Sequence, residues 1–134
     1  MCIGSQAGDG ISGAFSNHNV GIGADALSAA LTTGLSTAVG GSALVNSTGQ
    51  GNTGIGYNAG NTTTSGANVT CIGHDAEASS ATASNEITLG DANVATLRCN
   101  TQTISSLSDA RDKTDIQELP EGLDFISKLN PVKF

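Results

Sequence analysis

Side chains that could bind a metal ion or act as nucleophiles are sparse in this sequence. The cysteines and histidines are Cys2, Cys71, Cys99, His18 and His74. Zinc sites draw their cysteines from closely spaced pairs, and neither the odd number nor the spacing of these three cysteines fits such a site. We therefore predict no metal site and no cofactor. We interpret Cys2 and Cys71 as small, reduced, core-facing residues. We predict that each histidine is solvated or lies at the edge of a repeat.

Carboxylates are equally dispersed in the first hundred residues. Asp25, Asp75 and Asp91 do not form the close pair that a polysaccharide-degrading site would need. The twelve acidic and five basic residues give a formal net charge of −7, and half of the acidic and four of the basic residues follow Ser108. No basic stripe is present, so we predict no nucleic acid partner. A largely uncharged polar surface is compatible with binding to a polysaccharide or to an outer-membrane component.

An internal repeat must position these residues. Five segments share the pattern small, aliphatic, Gly, any, any, Ala, and a degenerate sixth copy follows them. They are residues 2–7, 21–26, 38–43, 54–59, 71–76 and 88–91. The aliphatic residues, at positions 3, 22, 39, 55, 72 and 89, are separated by 19, 17, 16, 17 and 17 residues. This spacing predicts an all-β fold, a parallel β-roll or β-helix-like solenoid with one short strand per coil.

Each place in the repeat has a predicted role. The aliphatic residue is expected to point inward, and the following Gly to adopt a positive φ or permit a close backbone approach. The Ala is expected to pack where only a methyl group fits. One aliphatic residue and one Ala per coil make a thin core, so we expect a homotrimer, intertwined or side by side, that pools these rows about a common axis. A monomeric β-helix is the alternative. A disordered Gly/Ser/Thr linker is a further alternative, but it would not need regularly spaced aliphatic residues.

The repeats resemble known trimeric assemblies. Over about residues 2–92 the pattern is similar to the head repeats of YadA-like bacterial adhesins and to related repeats of phage tail fibres. This resemblance implies a left-handed parallel β-roll with three chains. It leaves adhesin and fibre undecided.

The composition changes after the repeats. Residues 93–107 are predicted to form an extended junction. Residues 120–129 are predicted to form a short amphipathic α-helix, with Pro120 in its first turn and Leu123, Ile126 and Leu129 on one face. Asn130 and the proline after it end this helix.

The last 27 residues resemble the opening of the peptidase S74 family, the intramolecular chaperones of phage endosialidases, tail spikes and tail fibres. The motifs that carry the resemblance are Ser-Asp-x-Arg-x-Lys at 108–113 and Asn-Pro-Val-Lys-Phe at 130–134. The resemblance implies that Ser108 and Lys113 form a Ser-Lys dyad and that the chain cleaves itself adjacent to Ser108. Lys113 can act as a base only when neutral, which requires burial or neighbouring positive charge, and Arg111 is placed to contribute that charge.

We therefore predict three regions: a solenoid shaft or head at 1–92, a junction at 93–107, and the truncated N-terminal part of an S74-type chaperone at 108–134. The predicted function is that of a structural phage tail fibre in host attachment, with other tail proteins as partners. The predicted location is the virion, after assembly in the host cytoplasm and without membrane insertion. The alternatives are a trimeric bacterial adhesin, which would need a coiled-coil stalk and a membrane anchor, and a polysaccharide-degrading tail spike whose catalytic part lies elsewhere. Single-turnover autoproteolysis is the only enzymatic activity that this chain suggests.

Overall fold

The computed structural model describes residues 1–12, 18–29, 34–101 and 103–104. The strands are β1 (Cys2–Ile3), β2 (Val20–Ile22), β3 (Thr37–Val39), β4 (Thr53–Ile55), β5 (Val69–Ile72) and β6 (Glu86–Leu89). They form one sheet in chain order, and every pair of neighbours is parallel. Each coil of chain therefore returns to lay its strand beside the previous one. The predicted all-β solenoid is confirmed.

The chain divides into two compact units, Met1–Leu97 and Arg98–Phe134. All six strands belong to the first unit. The described residues contain no α-helix, and the helix predicted at 120–129 lies outside them. Within the described ranges, no helix has the length and apolar character to cross a bilayer. The domain boundaries at residues 92 and 107 stay predictions.

The small residue of each repeat points into the coil, and the aliphatic residue points out. Ala38 and Cys71 are fully buried and Gly54 is buried. Adjacent residues of a strand face opposite sides, so the aliphatic residue that follows must lie on the outer face. Ile55 is 41% exposed and Leu89 is 52% exposed. The prediction of one inward aliphatic residue per coil is therefore wrong for the single chain.

The narrow interior of the coil explains this orientation. A Cβ atom on Gly54 would lie 2.8 Å from the carbonyl oxygen of Ala59 and 2.8 Å from Cγ of Leu44, so the strand has room only for a small inward residue. The repeat alanines fill the opposite side of the interior, as predicted. The fully buried ones are Ala26, Ala43, Ala59 and Ala76. Leu44 also lies against Gly60, so a large side chain in one coil matches a glycine in the next.

The glycine after each aliphatic residue allows successive coils to approach closely. Gly56 has a φ of +134°, and a Cβ atom there would lie 2.6 Å from the carbonyl carbon of Gly73 in the next coil. The N–H of Gly56 donates to the carbonyl of Val39 at 2.8 Å, and the N–H of Gly73 donates to the carbonyl of Ile55 at 2.8 Å. Both predicted roles of this glycine, positive φ and close approach, are confirmed.

Buried polar side chains join the coils just before the strands begin. Oδ1 of Asn19 accepts a hydrogen bond from the N–H of Ser36 at 2.9 Å, and Oγ of Ser36 accepts one from the N–H of Asn52 at 3.2 Å. Oδ1 of Asn52 accepts from the N–H of Val69 at 2.9 Å, while its Nδ2 donates to Oγ of Ser47 at 2.9 Å. These bonds satisfy polar groups that burial would otherwise make costly, and they link each coil to the next.

This polar ladder stops one coil later. Val69 occupies the place that Asn52 holds in the preceding coil, and Thr63 occupies the place of Ser47. Since Val69 offers no amide, Oγ1 of Thr63 is buried without a hydrogen-bond partner. A buried hydroxyl without a partner reduces stability.

Candidate functional site

The outer face of the sheet carries two rows of side chains in exact strand register. The first, here called the aliphatic row, consists of Ile3, Ile22, Val39, Ile55, Ile72 and Leu89. The second, here called the threonine row, consists of Val20, Thr37, Thr53, Thr70 and Ile87. The two rows lie on the same face because their members are two residues apart in each strand.

The aliphatic row is an exposed apolar stripe. Ile3, Ile55, Ile72 and Leu89 are between 40% and 54% exposed, whereas Ile22 and Val39 are half-buried. With strands about 4.8 Å apart, five steps give a stripe about 24 Å long. Neither row contains a charged residue. Contiguous apolar surface of this kind is unfavourable in water, and covering it would lower the free energy of the chain.

Tyr57 and His74 form an exposed pair of rings beside this stripe. Their ring centroids are 5.5 Å apart with an interplanar angle of 28°, and Tyr57 is 56% exposed. Nδ1 of His74 lies 2.9 Å from Oδ2 of Asp75, and Oδ1 of Asp75 accepts a hydrogen bond from Nδ2 of Asn58 at 3.0 Å. The side chain of His74 is 68% exposed, which confirms the predicted solvated position, and the structure adds its ring and carboxylate partners.

A groove near β6 is lined by the carboxylates of Asp75, Glu77 and Asp91. Each of them already accepts hydrogen bonds from neighbouring amide groups of the chain. Donation from the side chain and backbone N–H of Asn93 lowers the pKa of Asp91. Among the described residues, no His, Cys, Asp and Glu side chains cluster closely enough to hold a metal ion. Asp91 thus closes a local turn, whereas Asp75 and Glu77 join their coil to the preceding one.

The three cysteines differ in accessibility. Cys71 is fully buried within the solenoid, which confirms its predicted inward position, whereas Cys2 and Cys99 are exposed. Burial, together with the negative charges of Glu77 and Glu86, raises the pKa of the Cys71 thiol to about 11. Cys71 therefore stays protonated near neutral pH and is a poor nucleophile. Cys2 occupies the same place in its repeat, and its Sγ points into the coil towards Gly8 and Gly21, as predicted. It is exposed because β1 is the edge strand of the sheet.

Ser108 and Lys113, the predicted catalytic pair, lie outside the described residues. The sequence predicted the aliphatic row correctly, but it placed the row on the inner face of the coil, whereas the structure places it on the outer face. The one available signal was that the residue before the aliphatic residue is Gly, Ala or Cys in all five full copies of the repeat, which suits a narrow interior.

Comparison with known proteins links the end of the chain to one family. Residues 108–134 match the model of the Peptidase_S74 family, described as the chaperone of endosialidase. This match confirms the resemblance drawn from the Ser-Asp-x-Arg-x-Lys motif and has the same boundaries. No curated protein and no solved structure matches the chain. The similarity of residues 2–92 to YadA-like head repeats stays a prediction.

Proposed function

We propose that this chain is part of a homotrimeric phage tail fibre, in which the aliphatic rows of three solenoids meet at a common axis. The single observation that carries the proposal is the uncharged apolar stripe on the outer face of the sheet, about 24 Å long. The match of residues 108–134 to the chaperone of endosialidase supports the same reading, because the family resemblance implies trimeric tail spikes and fibres.

The core of one protomer buries little apolar area, which favours an oligomer over a monomer. Its buried apolar residues are mostly alanines, and the largest buried side chains are two leucines and a valine. Alanines bury little area, so each coil gains little from the hydrophobic effect by itself. Covering one Ile, Val or Leu per coil in a shared interface would add the missing burial, and a threefold axis brings three identical rows together.

The assembly is tested by measuring the native mass of the full chain by light scattering across a range of concentrations. We expect a species of three times the protomer mass, which is 13.2 kDa for the uncut chain. Ile55→Ser should shift half-assembly to at least tenfold higher concentration, because it places a hydroxyl in the stripe. Tyr57→Ser is the matched control, since Tyr57 is exposed in the same coil but outside both rows. A monomer at all concentrations, or equal effects of the two substitutions, would contradict the proposed axis.

The second part of the proposal is a single self-cleavage adjacent to Ser108. Lys113, in its neutral form, accepts the Ser108 hydroxyl proton while the oxygen forms an ester with the acyl group of the adjacent peptide bond. The amide nitrogen takes that proton from Lys113 and leaves as an amine, and water hydrolyses the ester to give two chains. Removal of the C-terminal segment after assembly would make the trimer difficult to unfold, since the route by which its strands were aligned is lost.

Cleavage is tested by expressing the longest reading frame that contains this chain and weighing the products by mass spectrometry. Ser108→Ala and Lys113→Ala should give one uncut chain, whereas the parent should give two fragments that meet beside Ser108. Lys128→Ala is the matched control, because it removes a lysine of the same segment that has no place in the dyad. Fragments that persist in the first two variants would eliminate Ser108 and Lys113 as the reacting pair.

The third part of the proposal is attachment of the virion to a host surface, with the fibre assembled in the host cytoplasm beside other tail proteins. The polar exterior of the repeats, which has six carboxylates and no lysine or arginine before Arg98, suits a polysaccharide or an outer-membrane component. Labelled trimer should bind an array of bacterial surface polysaccharides and outer-membrane extracts in a saturable way. Mass spectrometry of purified virions should detect the chain in the tail, and its absence there would refute the assigned location.

A further inference from the structure

One corner of every coil has a left-handed backbone. The corner lies two residues before the threonine row, and its residues are His18, Leu35, Gly51, Asn68 and Asn85. Their φ angles are 66°, 72°, 72°, 56° and 60° in the same order. The corner therefore recurs in each coil, and any residue that occupies it must adopt a positive φ.

Leucine is poorly suited to this corner. Glycine adopts left-handed angles without a Cβ penalty, and asparagine is helped by local hydrogen bonds, as where Nδ2 of Asn68 donates to Oδ1 of Asn85 at 2.9 Å. Leu35 has no polar atom for such a bond. A residue with a Cβ is disfavoured in this conformation by a factor of about 5 to 30. Packing within the protomer does not compensate, because Leu35 is 55% exposed.

Leu35 belongs to the coil that contributes the smallest side chain to the aliphatic row. Its coil contributes Val39 to the row, while the other five members are isoleucines or a leucine. Valine is one methylene smaller, so this coil would leave less apolar contact at a shared axis. Leu35 lies two residues before Thr37, at the margin of the outer face, where an added leucine restores apolar area. One coil therefore combines a leucine with a left-handed backbone, the exposure of that leucine, and the smallest member of the aliphatic row, Val39.

We propose that Leu35 contacts a second copy of this chain at the margin of the interface made by the aliphatic rows. The proposal rests on the trimer proposed above and adds one residue and one role to it: Leu35 reduces the stability of the isolated protomer and stabilises the assembly. A leucine at this corner without an interchain contact would also strain the protomer, so the effect on the assembly is what separates the two cases.

The test uses Leu35→Asn and Leu35→Gly in the full chain, because the same corner in other coils already carries these two residues. Each variant should unfold in urea at an equal or higher midpoint than the parent when both are dilute enough to be monomeric. Each should also exchange subunits with fluorescently labelled parent trimer at least tenfold faster than the parent does, as the interface has lost a contact. Exchange can be followed even when the trimer is too tight to dissociate on dilution.

The outcomes separate the two proposals. A trimeric parent with variants that exchange within twofold of its rate would overturn the role of Leu35 and leave the trimer intact. A parent that is monomeric throughout would overturn the trimer and the Leu35 contact together. If Leu35→Asn and Leu35→Gly both lower the urea midpoint of the monomer, Leu35 stabilises its own coil and the proposal is wrong.

Discussion

Replacing Gly56 by alanine should destabilise the solenoid far more than the same change at Gly51. Gly56 has a φ of +134°, outside the range that alanine readily adopts, and a Cβ atom there would lie 2.6 Å from the carbonyl carbon of Gly73 and 3.1 Å from the N atom of His74. Gly51 has a φ of +72°, and a Cβ atom there would meet nothing within 4 Å. Comparing Gly56→Ala with Gly51→Ala therefore separates the effect of close spacing between coils from the effect of merely replacing a glycine.

The expected magnitude follows from two contributions. Holding an alanine in a sparsely populated backbone region costs about 1–3 kcal/mol. The new methyl group must also push Gly73 away, which weakens the hydrogen bonds that flank the contact. These run from the N–H of Gly73 to the carbonyl of Ile55 at 2.8 Å and from the N–H of Asp75 to the carbonyl of Tyr57 at 2.9 Å. With about 1 kcal/mol for each bond, Gly56→Ala should cost about 3–5 kcal/mol. Gly51→Ala should cost about 1 kcal/mol.

The two variants and the parent are compared by urea unfolding, followed by far-ultraviolet circular dichroism. All three are measured at one protein concentration, because assembly makes the apparent stability depend on concentration. The difference of about 2–4 kcal/mol between the variants is a large share of the total free energy of unfolding of a typical domain, about 5–15 kcal/mol. Costs that agree within about 1 kcal/mol would show that the coils are not spaced as closely at Gly56 as the structure requires.

Three further predictions concern buried and charged groups. Thr63→Val should leave the free energy of unfolding in urea unchanged or raise it by up to about 1 kcal/mol, because it removes a hydroxyl that has no partner. Ser47→Ala should lower it by about 1–2 kcal/mol, because one N–H of the buried Asn52 amide loses its acceptor while the other keeps the carbonyl of Gly66. The melting temperature should fall as the pH rises from about 9 to about 11, since the Cys71 thiol ionises at the lower pH only in the unfolded chain; Cys71→Ala should remove this part of the pH dependence. Hydrogen bonds from Ser79 lower the pKa of Glu86, so their small stabilisation should be lost as the pH falls through that lowered pKa, and a carboxyl titration followed by NMR should return toward the ordinary value in Ser79→Ala.

The repeat pattern was sufficient to predict the architecture. An aliphatic residue every 16 to 19 positions, preceded by a small residue and followed by glycine, fits one short strand per coil, and the strands do pair in parallel in chain order. The roles of Gly56 and of the buried alanines were also predictable, because positive φ and tight packing leave few choices of residue. The C-terminal motif pointed to its family without structural help, since several residues at fixed spacing carry the likeness.

Some parts of the interior had no periodic signal. The place after the repeat alanine is Leu27 or Leu44 in two coils and Gly60 in another, so no single residue type marks it as a core position. The ladder through Asn19 and Asn52 was equally hidden, because Asn and Ser are frequent throughout the chain and only some of them face inward. Burial of these groups depends on which coils stack against them.

Sequence alone determined that small and aliphatic residues of each strand face opposite sides, because adjacent side chains of a strand always do. Tertiary structure decided which side is the inside. A Cβ atom at Gly54 would already lie 2.8 Å from Ala59 and from Leu44, and those two residues reach the strand only when the coil closes. The width of the closed coil therefore turns the isoleucines outward, and this width is a property of the stacked chain that no single repeat contains.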